Sequence, residues 1–255
     1  RTVMRVAENP MEGRRGPAAK GAGAFLNPAM AGSRTRSVLL LQYAIESGIL
    51  GDGAIYALDG LAATGVRARR WINELPRESA ERLDIVMGDL DEDSLSWAVR
   101  NHLDFPPSHG EGKLQATKGD LRSMVLNHGR HWVDIDPYGS PVPFLDTAVQ
   151  SLARGGVIEV SATDTAALTG SSKDPLLRRY GARVRTDGLA HDSALRVLLA
   201  TLARTAARHD RAIVPLISIW DSHHLRVSAR TIKRKGTASE VESNLGWRVH
   251  SPSVD

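Results

Sequence analysis

The sequence predicts an α/β fold: a doubly wound, mostly parallel sheet that ends in an antiparallel β-hairpin. Three observations carry this expectation. Short apolar runs alternate with amphipathic, helix-spaced segments along most of the chain. The last two strand-like runs, 212–220 and 223–230, have no helix between them and must pair antiparallel. The 255 residues, 42% apolar and 24% charged, have globular composition and suit one large domain, or one domain with an appendage.

Residues 1–33 are rich in Gly, Ala, Pro and Arg and read as an irregular arm. Arg1, Arg5, Arg14, Arg15 and Lys20 make it basic, so it suits a solvated tail or an arm on nucleic acid equally well. Within it AFLNPAM (24–30) is a turn with Phe25 as an apolar anchor. TRSVLLLQYAIESG (35–48) has helical spacing and stops at Gly48. AIYALD (54–59) is a buried strand, VRARRWINEL (66–75) a helix and LDIVMGD (83–89) a second strand. DEDSLSWAVRNHL (91–103) is a helix whose leading acids suit the helix dipole. KLQATKGD (113–120) and HWVDID (131–136) are the third and fourth strands. PFLDTAVQSLARGG (143–156) reads as a helix closed by its glycines, and VIEVSATD (157–164) as the fifth strand. A long helix over 191–210 follows, with Asp192 in its first turn, and then the hairpin. Residues 236–255 lose the pattern and read as the opening of a further domain.

Several chemistries are excluded or disfavoured. With no cysteine there is no disulfide scaffold, thiolate metal site or Cys nucleophile. No metal is expected: His223-His224 lack a third ligand at suitable spacing, and His128 and His131 only flank a turn. GSSKD (170–174) lacks P-loop spacing, and no nucleophile elbow is present. No apolar run spans a membrane and no signal-peptide pattern opens the chain, so a soluble cytoplasmic protein is expected. The oligomeric state is not fixed by the sequence, and a monomer is the simplest expectation. The net charge of +4 permits a polyanionic partner without demanding one.

In doubly wound sheets ligands bind beyond the carboxyl ends of the strands. The first strand ends at Asp59, followed by the small-residue loop Gly60 to Gly65 with Thr64 inside it. An acid followed by this loop, without a G-x-G-x-x-G triplet, suits S-adenosyl-L-methionine better than a dinucleotide, since the carboxylate can face an ammonium group. Asp89 ends the second strand, where a carboxylate accepts ribose hydroxyls; Asp89 or Asp91 alternatively caps the next helix, and both roles are compatible with Asp89 as ligand and Asp91 as cap. Asp120 ends the third, placed either to accept from an adenine amino group or to cap the helix that follows.

The fourth strand carries Asp134 and Asp136 at alternate positions and runs into Pro137-Tyr138-Gly139-Ser140-Pro141. Ordinary turn chemistry accounts for the prolines and glycine. The acid at the end of a central strand suits work on an exocyclic amine, a poor nucleophile because its lone pair delocalises into the ring. The Asp136 carboxylate and the Pro137 carbonyl can grip the amine protons, and Tyr138 offers a flat face to an extruded base. Catalysis then consists of positioning and electrostatics.

These blocks resemble the tRNA guanine-26 N2-dimethyltransferase family of class I methyltransferases, whose Rossmann-like sheet ends in such a hairpin. The resemblance runs through FLNPAM with Ser33-Arg34, LDGLAATGVRARR, DIDPYGSPVPFLDTAVQSL, SATDTAALTG, LLRRYG and HDSALRVLLATLARTAARHDRAIVPLIS, covering 24–235 in order. It implies an S-adenosyl-L-methionine-dependent enzyme that places one or two methyl groups on guanine N2 in tRNA. By motif, Asp59, Gly60, Thr64, Gly65, Asp89, Asp120 and Asp136 belong to the cofactor site, and Arg34 pairs with the methionine carboxylate. Asp136, Pro137 and Tyr138 hold the amine, Phe25 closes over the base, and Thr163, Asp164 and Thr165 line the floor. Arg178 and Arg179 face tRNA phosphates. Tyr138 stands where Phe is more usual, and Leu26 replaces a common aromatic. The implied organisation is a basic arm with the base clamp (1–33), a methyltransferase domain (34–235) and the truncated start of a carboxyl-terminal domain (236–255). Two alternatives stay open: an exocyclic-amine methyltransferase acting on another RNA or DNA, and a non-catalytic RNA-binding module with a vestigial fold.

Overall fold

The computed structural model describes residues 2–6, 25–108, 112–125, 129–249 and 251. His128, Arg1, Arg14, Arg15 and Lys20 lie outside the described residues. Seven strands form one sheet in the order β3-β2-β1-β4-β5-β7-β6. They are β1 (Ile55–Asp59), β2 (Leu83–Asp89), β3 (Lys113–Lys118), β4 (Arg130–Ile135), β5 (Leu152–Ala162), β6 (Arg211–Asp221) and β7 (His224–Lys233). The pairs β1–β2, β2–β3, β1–β4 and β4–β5 are parallel, and β7 joins both β5 and β6 antiparallel. The expected doubly wound sheet with a terminal hairpin is therefore present.

The helices are α1 (Ala31–Glu46), α2 (Val66–Glu74), α3 (Arg77–Glu81), α4 (Glu92–Asp104), α5 (Leu121–Met124), α6 (Val142–Ser151), α7 (Thr165–Leu168), α8 (Lys173–Tyr180), α9 (Ala190–Ala207), α10 (Lys235–Ser239) and α11 (Val241–Asn244). One apolar cluster joins α1 and α2 to Ile55, Ala57 and Trp132. The other joins α6 and α9 to Leu58, Val133 and Ile135. Because side chains alternate along a strand, Trp132, Asp134 and Asp136 lie on one face of the β4 line and Val133 and Ile135 on the other. The two aspartates therefore belong to the layer beneath α1 and α2.

Three expectations change. The run 143–156 is not one helix: α6 ends at Ser151 and Leu152 already enters β5, paired with Arg130. Gly155, at φ +77°, bends the chain within β5 rather than closing a helix. Residues 2–6 are not a free tail. Asn101 of α4 brackets the Arg5 backbone, accepting from its N–H at 2.7 Å and donating to its carbonyl at 3.1 Å, and Arg69 donates to the Val3 carbonyl at 2.8 Å. The buried polar groups of Asn101 and Arg69 need partners, and this segment supplies them. The stretch after Lys233 is helical, not patternless, over α10 and α11, and Glu242 pairs with Arg204 of α9 at 2.9 Å.

Candidate active site

The sheet order places the chain reversal between β1 and β4, whose carboxyl ends are register neighbours through Asp59 and Asp134. A crevice opens at such a reversal. Asp59, Asp89 and Asp136 stand at or just beyond the ends of the adjacent parallel strands β1, β2 and β4, and Asp120 two residues beyond β3.

The loop after β1 is held tightly against this edge. Gly65 precedes α2 at φ +69°, and a Cβ there would lie 2.7 Å from Met87 Sδ and 2.8 Å from Ala98 Cβ. Only glycine serves both demands. Ala63 adopts φ 45°, unusual for a residue with a side chain, and its N–H donates to Asp89 Oδ2 at 2.8 Å. Asp89 Oδ1 accepts from the Asp91 N–H at 2.9 Å, so this carboxylate ties the β1 and β2 loops together. Each oxygen keeps a second lone pair for a ligand. Asp91 caps α4, accepting from the Asp93 and Ser94 N–H groups. Asp120 caps α5 and pairs with Arg122, whose hydrogen bond draws the carboxyl down to about 2. Asp59 is buried and accepts from the Ala68 N–H at 3.2 Å. Burial pushes its carboxyl up to about 6, against the pull of Arg67.

Beneath the crevice runs a ladder of buried charges. Arg67 of α2 donates to Asp136 and lies 3.4 Å from Asp134. Arg226 of β7 pairs with Asp134 and, at 2.8 Å, with Glu159 of β5, and it donates to Ser161 Oγ at 2.7 Å. Ser37 of α1 donates to Glu159 and receives the Trp71 indole N–H at 3.1 Å. Three carboxylates thus face two guanidiniums. Asp136 keeps 20% of its side chain exposed while Asp134 and Glu159 are closed off, so Asp136 is the ladder's outlet to the crevice. Burial pushes the Asp136 carboxyl up, and the Arg67 and Arg226 charges outweigh it, leaving the group below its ordinary value. Arg67 Nη1 is buried without a hydrogen-bond partner among the described residues.

The loop beyond Asp136 is braced from the end of β5. Gly139 N–H donates to Thr163 Oγ1 at 2.7 Å, and Thr163 N–H to the Gly139 carbonyl at 3.0 Å. Ser140 donates to Tyr180 Oη and Tyr180 to Asp164, both at 2.8 Å. Tyr138 is 63% exposed. Its ring centroid lies 5.4 Å from that of Phe25, tilted by 55°. Phe25 is brought there by the 28–30 turn, where Asn27 Oδ1 accepts from the Ala29 N–H at 3.0 Å. Both terminal nitrogens of Arg34 donate to the Asn27 carbonyl at 3.1 Å. Burial, with Arg67 and Arg70 nearby, draws the Arg34 guanidinium down to about 10.

The structure therefore brings Phe25, Arg34, Asp59, Gly60, Thr64, Gly65, Asp89, Asp136, Pro137 and Tyr138 to one edge of the sheet and its adjoining loops. Arg178 and Arg179 are both exposed on α8, and Arg179 also pairs with Asp164 at 3.1 Å. Arg67, Glu159 and Arg226 were not anticipated as site residues. A lone Glu inside VIEV and an Arg between Leu225 and Val227 were the signal, because a charge within a buried strand needs a partner. His224 is buried with neither ring nitrogen hydrogen-bonded among the described residues, and burial holds it below its ordinary value. Among the described residues no group of three or more His, Asp or Glu could hold a metal, and no helix is long and apolar enough to cross a membrane.

Comparison with known proteins places this geometry. The family model for N2,N2-dimethylguanosine tRNA methyltransferase matches residues 6–252. The tRNA (guanine(26)-N(2))-dimethyltransferase of Thermoplasma volcanium is 40% identical over 203 residues, 80% of this chain and 56% of the relative. That of Pyrococcus horikoshii is 34% identical over 238 residues, 88% of this chain and 58% of the relative. The structure of Trm1 from Pyrococcus horikoshii with S-adenosyl-L-methionine superposes with a TM-score of 0.74 at 29% identity, covering 86% of this chain and 59% of that one. The chain thus spans somewhat over half the length of these relatives. With the acid-ended parallel strands, the Asp-Pro-aromatic loop and the terminal hairpin all in the matched region, the chain belongs to the N2,N2-dimethylguanosine tRNA methyltransferase family.

Proposed function

We propose that this chain carries the catalytic site of an S-adenosyl-L-methionine-dependent tRNA methyltransferase that places one or two methyl groups on the exocyclic N2 of guanine 26. The observation that carries this reading is the Asp136-Pro137-Tyr138 loop at the end of β4, with the Phe25 ring 5.4 Å from that of Tyr138.

The residues fit the cofactor. Its methionine end carries an ammonium and a sulfonium, and the Asp59 carboxylate at the end of β1 is the acid that can face them. Its carboxylate needs a cation, and Arg34 has no ion pair among the described residues. Asp89 keeps lone pairs for the ribose hydroxyls, and Arg67 Nη1 is a buried donor awaiting an acceptor. When bound, the cofactor supplies an electrophilic methyl group. Asp136 and the Pro137 carbonyl accept the amine N–H groups and so localise the nitrogen lone pair toward that methyl. Asp136 stays ionised, so it can accept the amine N–H as the nitrogen gains positive charge, and the proton that the nitrogen loses as N–CH3 replaces N–H passes to this carboxylate and out through its exposed edge. Phe25 and Tyr138 stack the base and fix its plane, and the Thr163–Gly139 hydrogen bonds hold the loop still.

Transfer of labelled methyl from S-adenosyl-L-methionine to purified tRNA, followed by nucleoside analysis, tests the reading. N2-methylated guanosine mapping to position 26 is expected. Cofactor binding with label on another nucleoside, on another RNA or DNA alone, or on none, overturns it.

A further inference from the structure

We infer that the groove between α8 and residues 182–186 is a docking surface for the RNA phosphate backbone, outside the crevice where the base reacts. The inference rests on the tRNA reading above and adds where the substrate is gripped.

The groove is built of two adjoining hollows. One, of about 510 Å3, is lined by Lys173, Arg183, Val184, Arg185 and Thr186. The other, of about 370 Å3, shares Lys173, Arg183 and Val184 and extends along Leu176 and Leu177, with Asp174 its one acid. Lys173, Arg183 and Arg185 are exposed, and among the described residues none lies in an ion pair. Elsewhere on the surface Arg77, Arg122, Arg196 and Arg204 each have a carboxylate while Arg100, Arg154 and Arg178 have no ion pair among the described residues, so what sets the groove apart is three such cations lining one hollow, with Asp187 the acid that feels Arg185. A polyanion is the partner such a cluster fits.

The cations sit on a fixed scaffold. Ala182 and Val184 are half-buried while Arg183 and Arg185 are exposed, so both arginines meet solvent from this segment. A Cβ at Gly170 would lie 2.5 Å from the Val184 carbonyl, which shows how closely this segment seats on the end of α7. Thr186 Oγ1 donates to the Thr169 carbonyl at 3.0 Å, and Asp187 pairs with Arg248 beyond it. No aromatic residue lines either hollow, so the surface offers charge without a stacking face. That composition suits phosphates and sequence-independent positioning rather than base readout. The groove also communicates with the reacting loop. Tyr180, the last residue of α8, bonds both Ser140 and Asp164, and Arg179 of the same helix pairs with Asp164.

The test is direct tRNA binding across a series of salt concentrations, for the wild-type protein and for the triple variant K173Q/R183Q/R185Q. Cofactor affinity and thermal midpoint are measured on the same samples. The groove predicts that the variant binds tRNA on the order of tenfold or more weakly at low salt. Its plot of log affinity against log salt should be shallower by about 2–3, about one per lost phosphate contact, with cofactor binding unchanged. Unaltered affinity and slope in a folded variant overturn it. If the triple variant fails to fold, R183Q and R185Q singly must each lower the slope by about one, and no change in either is equally fatal. A wild-type protein that shows the salt-dependent grip but makes no N2-methylguanosine would sink the tRNA guanine reading and leave the groove standing. Normal methylation with an unaffected triple variant would do the reverse.

Discussion

Arg67 of α2 donates to Asp136 at the end of β4 and faces Asp134 at 3.4 Å, so one guanidinium spans both aspartates of the DID segment. The pair opposes the effect of burial on Asp136. Replacing Arg67 by Gln leaves burial unopposed on that side, and the carboxyl rises. The acid limb of the kcat/KM profile should therefore move to higher pH in R67Q. R67K keeps a charge but not the two-way reach, so its limb stays near that of the wild type while kcat falls. A depressed carboxyl stabilises the fold above its ordinary value of 3.8 and loses that contribution as pH falls through the folded value. R67Q should lack that acid-range loss in a denaturation series.

Arg226 is shared by Asp134 and Glu159 in the closed part of the ladder. Removing it leaves two buried carboxylates without their principal counter-charge. R226M is expected to destabilise the protein by about 3–5 kcal/mol, read by chemical denaturation. A loss below about 1 kcal/mol would mean that the ladder relaxes or takes up water.

The Phe25 and Tyr138 rings lie 5.4 Å apart, closer than two faces enclosing a base between them. The clamp must open to admit one. F25A and Y138A should each weaken kcat/KM for tRNA by roughly 10–100-fold, the scale of a lost base-stacking contact. Cofactor affinity should be unaffected. Y138F should work nearly as well as the wild type, because the face and not the hydroxyl is used.

Asp59 is pushed up to about 6 by burial. Below that pH it is largely protonated and cannot attract a cation. Cofactor affinity should then rise as pH climbs through about 6, with a proton released on binding. D59N should bind more weakly and lose that dependence in calorimetric titrations.

Much of this was legible in the sequence for a physical reason. β1, β2, β5 and β6 announce themselves as largely apolar runs, β3 (KLQATK) only weakly with two apolar residues in six, and the long helices α1, α4 and α9 have enough turns to show a period. The four- to eight-residue helices α3, α7, α8, α10 and α11 show none, because one or two turns carry too few positions. The α6–β5 junction was misplaced because Gly155-Gly156 looks like a helix stop, whereas the chain turns at Leu152 without a glycine. In the site, Asp59, Asp89 and Asp136 were legible as acids at strand ends. Arg67 was not, since an arginine in VRARRW looks like a solvated charge until the fold buries it.

The central claim is that Asp136 acts on the substrate amine and not on the cofactor's affinity. Measuring single-turnover methyl transfer to tRNA beside calorimetric cofactor binding for D136A tests it most directly. The expected result is cofactor binding within a few-fold of the wild type and transfer reduced by on the order of a thousandfold or more. Parallel loss of binding and transfer, or transfer that survives the substitution, would contradict it.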